Sequence, residues 1–354
     1  MQFPGALSSL AEQAILTARN DQSIVSSAKD GEVSHVAKVV LHLPDALVNL
    51  WKPHLSSGIL TVQGLFCHKT PKAEHISAFT NKTEKPEFGD LLLITNLQTG
   101  ATNDRRAMLL QAKMGNQNGS PGDFDLDSGG DAVQRAMYAH WPTVGLTGLG
   151  KLPLPTFNLA PNQPGSCMAS RYACIDPSPS IGRSGWWIED AQPKQVSPYS
   201  GSFQASIPLS LSLIQMLSGG VGASLNSEPE WRKAVAHLLD VASLRDAASK
   251  NPPDVLAASG VSKMPHTAKV TNFIANERGF SYSGLYEDDF SRLFHLGMSS
   301  RFPSDIYDLI FHNLFDEYFQ HHGPRVQIEV EEDDPGFGVL FVSVINPEWR
   351  DEPL

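Results

Sequence analysis

The chain has 354 residues, of which 41% are apolar and 18% charged, with a formal net charge of −11 at neutral pH. That length and well-spread apolar content exclude wholesale disorder and suffice for two domains, or for one domain with a large extension. The acidic balance excludes a broad basic surface but not a local basic groove on nucleic acid, since phosphate contacts need only a local cluster. Three cysteines, Cys67, Cys167 and Cys174, have no C-x-x-C spacing. Neither a disulfide framework nor a structural zinc site is expected, and reduced thiols fit a cytoplasmic protein. No apolar run has the length of a membrane span, and the start lacks the pattern of a signal peptide.

In chain order, Ser9 and Glu12 have capping-box spacing ahead of Ala14-Ile15-Leu16, which predicts a first helix. Val36–Leu43 reads as a strand or a short helix. Asp45 can cap a helix carrying Leu47, Leu50 and Trp51, which Pro53 would end. Leu60–Cys67 reads as a strand. His68 to Lys72 is a basic loop, followed by His75, and Lys69 and Lys72 are placed to touch phosphate. Gly115–Gly130 reads as a mobile loop. Asp123, Asp125 and Asp127 open like an EF-hand loop, but Ser128 and Gln134 stand where the turn Gly and bidentate Glu belong, so calcium is not expected.

Asp131 can cap a helix carrying Val133, Met137 and Tyr138 and ending at Trp141-Pro142. Gln134 and Arg135 lie one turn in, either facing substrate or forming a solvated face. Gly145–Lys151 begins like a phosphate-binding loop, but Leu152 replaces the required Ser or Thr, so nucleotide binding there is rejected. A Pro-, Gly- and Ser-rich stretch from Pro153 to Ser202 holds strand candidates at Arg171–Ile175 and Trp186–Ile188. It suggests a boundary near Pro155, with residues 1–155 forming one unit and 156–354 an accessory half. In that half, Ile207–Leu217, Glu230–Ala247 and Ile306–Phe319 (capped by Ser304) read as helices. The aromatic stripe of the last of these is either core or a contact for a second copy or a partner protein. Val326–Val330 and Val339–Ile345 read as strands joined by a hairpin turn at Asp333-Asp334-Pro335-Gly336.

The stretch from Glu87 to Lys113 organises the rest. Two apolar runs, Leu91–Ile94 and Ala107–Leu110, flank a polar turn and read as adjacent buried strands. Alternation puts Gln111 and Lys113 on one face and Ala112 on the other. Antiparallel pairing then sets Asp90 beside Gln111 and Lys113, so that an acid, an amide oxygen and an ammonium meet at one rim.

This arrangement resembles the restriction-endonuclease-like nucleases, the PD-(D/E)XK superfamily, in its Q-x-K variant, which suggests type IV restriction enzymes and anti-phage nuclease effectors. The resemblance implies an α/β fold with a mixed-sheet core, followed by a mixed helical and strand C-terminal half. It implies Asp90, Gln111 and Lys113 as catalytic residues. Asp90 and Gln111 would hold Mg2+ or Mn2+, and Glu12 is the candidate acid from the first helix. Lys69, Lys72, Gln134 and Arg135 would contact DNA. Phe88-Gly89 stand where the motif has proline. The implied activity is metal-dependent hydrolysis of DNA phosphodiester bonds. The alternative is a fold that has lost catalysis and serves as a DNA-binding or partner-binding module.

Overall fold

The computed structural model describes residues 3–21, 24–26, 31–67, 71–117, 119–126, 130–147, 155–159, 169–190, 201–248, 266–275, 280–285, 328–330 and 336–351. The elements run α1 (Ala6–Arg19), β1 (Ile24–Ser26), α2 (Glu32–Trp51), β2 (Leu55–Cys67), β3 (Lys72–Ile76), β4 (Thr83–Glu84), β5 (Leu91–Thr99), β6 (Thr102–Met114) and β7 (Asp123–Leu126). They continue through α3 (Gly130–His140), β8 (Thr143–Thr147), β9 (Thr156–Asn158), β10 (Ser170–Ile175), β11 (Trp186–Ile188), β12 (Gly201–Gln204) and β13 (Ile207–Pro208). The remainder are α4 (Leu209–Leu217), β14 (Ala223–Ser224), α5 (Pro229–Ala248), β15 (His266–Ala275), β16 (Phe280–Leu285), β17 (Ile328–Val330) and β18 (Phe337–Trp349).

The chain is a mixed α/β protein built on one mixed sheet, in the order β13-β11-β10-β6-β5-β18-β2-β15-β16. The β5–β6 hairpin is antiparallel, while β10 runs parallel to β6 and β18 runs parallel to β5. Leu91, Leu93, Met108, Leu110, Leu340 and Val342 pack with α1, α2 and α4 on one face. Leu92, Ile94, Leu109, Tyr172, Val339 and Phe341 pack with α3, α5 and the small β4-β3-β8-β9 sheet on the other. Burial on both faces explains why the central strands are continuously apolar rather than alternating.

The sheet runs straight across the expected boundary near Pro155. Strands β10 and β18, from the supposed accessory half, lie beside β6 and β5 of the supposed core. A division into 1–155 and 156–354 therefore cuts through backbone ladders. The proline-rich stretch itself supplies β10 and β11 of that sheet.

Helix α2 takes in both Val36–Leu43, left open between strand and helix, and the separate helix expected after Asp45. Its buried Val36, Val39, Val40, Leu43 and Leu47 follow the helical repeat, and Pro44 sits inside it. Proline has no N–H for the carbonyl four residues back, which leaves the Val40 oxygen without that donor. The helix seats on two glycines at this level. A Cβ on Gly64 would meet the Val40 oxygen at 1.6 Å, and one on Gly338 would meet the Val36 and Val40 methyls at 2.7 and 2.8 Å.

Three local expectations change. Helix α1 starts at Ala6 with no side-chain cap, and the Ser9 hydroxyl donates to the Ala6 carbonyl instead. The Gly115–Gly130 stretch contains β7, which pairs antiparallel with β12, so the backbone from Asp123 to Leu126 is tied into a ribbon. Asp125 accepts the Ser202 hydroxyl within that ribbon. The C-terminal strands are not hairpin partners, because β17 pairs with β1 and β18 with β5 and β2. The expected Ile306–Phe319 helix lies outside the described residues.

Gly64→Val should prevent α2 from docking, since backbone, not a mobile side-chain end, occupies the space. We expect a destabilisation of about 3 kcal/mol or more, read as loss of soluble folded protein or of a cooperative thermal transition. Gly5→Ala, where nothing lies within 4 Å, is the control and should melt as the unaltered protein does.

Candidate active site

The β5–β6 register sets Leu91 opposite Leu110, which puts Asp90 beside Gln111, as the sequence predicts. The Asp90 backbone is fixed from both sides. Its N–H donates to the Leu110 carbonyl at 2.9 Å, and its carbonyl accepts from Gly338 N–H of β18 at 2.7 Å. The Phe88-Gly89 departure from the family motif has a packing reason. Phe88 is fully buried against Trp141 and Trp231, and a Cβ on Gly89 would meet the Leu109 side chain at 2.7 Å and the Tyr138 hydroxyl at 3.1 Å.

The Asp90 carboxylate is 8% exposed. Its Oδ2 accepts from Ala112 N–H at 2.7 Å and from the Gln111 amide nitrogen. The Gln111 amide oxygen accepts from Gln134 of α3, whose Nε2 also reaches the Glu87 carbonyl at 2.9 Å. The Tyr172 hydroxyl lies 3.5 Å from Gln134 Oε1. A buried chain of amides thus connects α3 to Asp90 and satisfies each polar group in turn.

Lys113 shares the Gln111 face, and its Nζ pairs with Asp131 Oδ1 at 2.9 Å. Asp131 therefore holds the lysine. Glu32, at the start of α2, closes the rim and accepts Met114 N–H at 2.9 Å. Burial pushes the Asp90 carboxyl well above the usual carboxylate range, and the charges of Glu32 and Glu87 push the same way, against Lys113 and the Ala112 N–H. Glu32 is raised too, first by burial. Burial alone would lower the Lys113 ammonium, but Glu32, Asp131 and Asp90 together hold it above its ordinary value. Lys113 is therefore a persistent cation at neutral pH.

Other candidate residues fall elsewhere. Glu12 lies on α1, on the opposite face of the sheet from Gln111. Its carboxylate accepts from the Ser184 N–H and hydroxyl and from the Ser210 hydroxyl, so it braces structure. Arg135 is 5% exposed, pairs with Glu189 at 3.1 Å and stands 4.0 Å from the Phe203 ring centre. Gln134, at 3% exposure, is equally enclosed. Neither presents itself to substrate from solvent. Lys72 is exposed on β3, where its backbone forms an antiparallel β-bridge with Glu87, while Lys69 lies outside the described residues. Gly145 lies within β8, and the stretch after Thr147 that begins like a phosphate-binding loop lies outside the described residues as far as residue 154.

Glu32 is the acid that sequence reading misses. The signal was present: an acid directly after Gly31, at the head of the Val36–Leu43 run. Reading that run as a helix would have placed Glu32 in its first turn.

Among the described residues no group of three or more His, Cys, Asp or Glu side chains is drawn together as a metal shell. Among the same residues no helix is long and apolar enough to cross a membrane. No protein-family model, no curated protein and no solved structure matches this chain.

A carboxyl with a raised folded-state pKa contributes its stability fully below the unfolded value and loses it as pH rises through the folded value. Asp90 and Glu32 thus make the metal-free protein less stable on going from acid to neutral pH. Asp90→Asn keeps an oxygen for the Ala112 N–H and removes the charge. It should melt several degrees higher than the unaltered protein near about pH 8, with the gap closing towards about pH 4. A lower melting temperature for the variant at neutral pH would contradict this account.

Proposed function

We propose that this chain is a metal-dependent DNA endonuclease of the restriction-endonuclease-like kind, hydrolysing phosphodiester bonds. The convergence of Asp90, Gln111 and Lys113 at one end of the β5–β6 hairpin carries the reading. Further support comes from α3, which follows the lysine-bearing strand and packs beside the same residues, as the resemblance implies. Restriction of foreign DNA, or anti-phage defence, is the role the resemblance brings with it, and the cytoplasm is the compartment.

Mg2+ or Mn2+ suits this site in donor type and in charge. Asp90, Glu32 and Glu87 are hard oxygen donors whose like charges face one another. Asp90 and Glu32, with Glu87 and the Gln111 amide oxygen, are the groups that would hold it. Glu12 is replaced in that role because its oxygens are taken by Ser184 and Ser210. The amide nitrogen of Gln111 now faces Asp90, and a half-turn of the terminal amide presents the oxygen instead. When bound, the cation supplies Lewis-acid polarisation of the phosphate and a more acidic water.

The remaining work belongs to the chain. Lys113 would orient or help deprotonate the attacking water and offset charge developing on the phosphate. Asp131 fixes the lysine, and Gln134 sets the Gln111 amide. The walls formed by Phe88 and Tyr138 exclude water from behind Asp90, which strengthens each charge interaction.

One observation favours the non-catalytic reading, a restriction-like fold retained as a DNA-binding or partner-binding module. The Gln134–Gln111–Asp90 chain satisfies its members without any ion.

Cleavage of supercoiled, linear and single-stranded DNA, with manganese affinity measured by calorimetry, separates the two readings. Asp90→Ala should abolish both metal binding and cleavage. Lys113→Ala should leave metal binding largely intact and slow turnover about 100- to 1000-fold. Gln111→Glu places a carboxylate against Asp90, so the metal-free protein should melt lower, bind manganese more tightly and retain partial cleavage. Unimpaired cleavage by both alanine variants would remove this site from catalysis. An unaltered protein that binds DNA but never cuts it would establish the binding module.

A further inference from the structure

Gln134 and Gln111 are both shut away from water, at 3% and 1% exposure. Each ends in an amide whose two sides differ, one only donating and the other only accepting. The groups around the pair decide which side faces which way.

Acceptors stand at both ends of the chain of contacts. At one end is the Glu87 carbonyl, to which Gln134 Nε2 donates at 2.9 Å. At the other is Asp90 Oδ2, which also accepts the Ala112 N–H at 2.7 Å. Between them, Gln134 Nε2 donates to the Gln111 oxygen, and the Gln111 nitrogen donates to Asp90. Both hydrogens of Gln134 Nε2 are thereby used. The placing of α3 enforces the contact. Asp131 and Gln134, one turn apart on the helix, meet Lys113 and Gln111, which share one face of β6.

Gln111 cannot turn alone. A half-turn would bring its nitrogen against the Gln134 nitrogen and its oxygen against Asp90. Neither new pair joins a donor to an acceptor, and burial denies them water. Turning Gln134 as well restores the contact between the two amides. The Tyr172 hydroxyl, 3.5 Å from Gln134 Oε1, adapts to this, because a hydroxyl both donates and accepts. The Glu87 carbonyl does not adapt, and it would face the Gln134 oxygen with its donor gone. Nor can that carbonyl swing away. It shares a peptide plane with the Phe88 N–H, which donates to the Pro71 carbonyl at 2.7 Å.

We infer that Gln134 is a positioning residue that locks the nitrogen of the Gln111 amide onto Asp90. Gln111 presents its oxygen to the rim only when Gln134 turns with it and gives up the Glu87 carbonyl. The affinity of the rim for a divalent cation is then set from α3 as well as by the acids. The consequence for affinity rests on the proposed metal site, whereas the lock itself is read without metal.

Full-length protein is used throughout. In chelator, the side-chain amide signals of Gln111 are followed by nuclear magnetic resonance and identified by their loss in Gln111→Glu. Gln134→Met fills similar space with no donor, so the Gln111 oxygen is no longer held. The Gln111 amide hydrogens should then exchange with solvent about tenfold faster. Manganese affinity is measured by calorimetry in two backgrounds. With Gln111 present, Gln134→Met should tighten binding about tenfold, since turning Gln111 no longer takes a donor from Glu87. With Gln111→Glu, an oxygen faces the rim whichever way the group is turned, and Gln134→Met should change affinity by less than about twofold. Thermal melts establish that each variant is folded. Gln134→Leu, which likewise lacks a donor, stands in if Gln134→Met does not fold.

Unchanged exchange of the Gln111 amide in a folded Gln134→Met protein overturns the inference. So does an equal change of manganese affinity in the two backgrounds, or none in either, since a residue that only packs would act on both alike. Manganese binding by none of these proteins removes the metal from the proposed function, while faster exchange of the Gln111 amide still upholds the lock.

Discussion

Strand β18 lies between β5 and β2, and the site depends on this. Its parallel pairing with β5 brings Gly338 N–H onto the Asp90 carbonyl, while β6 takes the Asp90 N–H. The residue is thereby clamped at both backbone groups, which a hairpin alone would not do. Gly338 also clears the space in which α2 rests, so the same residue fixes Asp90 and seats the helix that carries Glu32. An isolated two-stranded hairpin is at best marginally stable. With β18, β2 and β10 on its flanks, the hairpin becomes the interior of a sheet.

That interior position makes the site's electrostatics costly. Asp90 and Glu32, both held above the usual carboxylate range first by burial, oppose folding at neutral pH, and Lys113 acts against this. Breaking a buried charge arrangement exposes uncompensated charge, so such groups persist where they have a use. The amides of Gln111 and Gln134 add acceptors and donors without adding charge. They allow the rim to close on itself in the absence of an ion.

The hairpin register, the shared face of Gln111 and Lys113, the strands β2, β10, β11 and β18 and the helices α3, α4 and α5 were legible in the sequence. Each rests on short-range physics: side-chain alternation, helical repeat, glycine and proline punctuation. Chain order and periodicity also placed Asp90 beside Gln111, because a tight hairpin leaves little choice of partner. The failures share a cause. Asp45 read as the cap of a separate helix, but packing on Gly64 and Gly338 keeps α2 continuous, and local propensity cannot register that.

The sequence by itself thus determined the hairpin, its register and the three residues at its end. Alternation and turn length operate over a few residues, and no distant segment is needed to enforce them. The tertiary structure alone decided the rest. It put Glu32 at the rim, because α2 begins beside the end of β6, and it set Glu12 against Ser184 and Ser210. It turned Arg135 inward to Glu189 and Phe203, and it merged the two expected halves through β10 and β18. These outcomes follow from which face and which edge a segment meets, and segments far apart in the chain decide that.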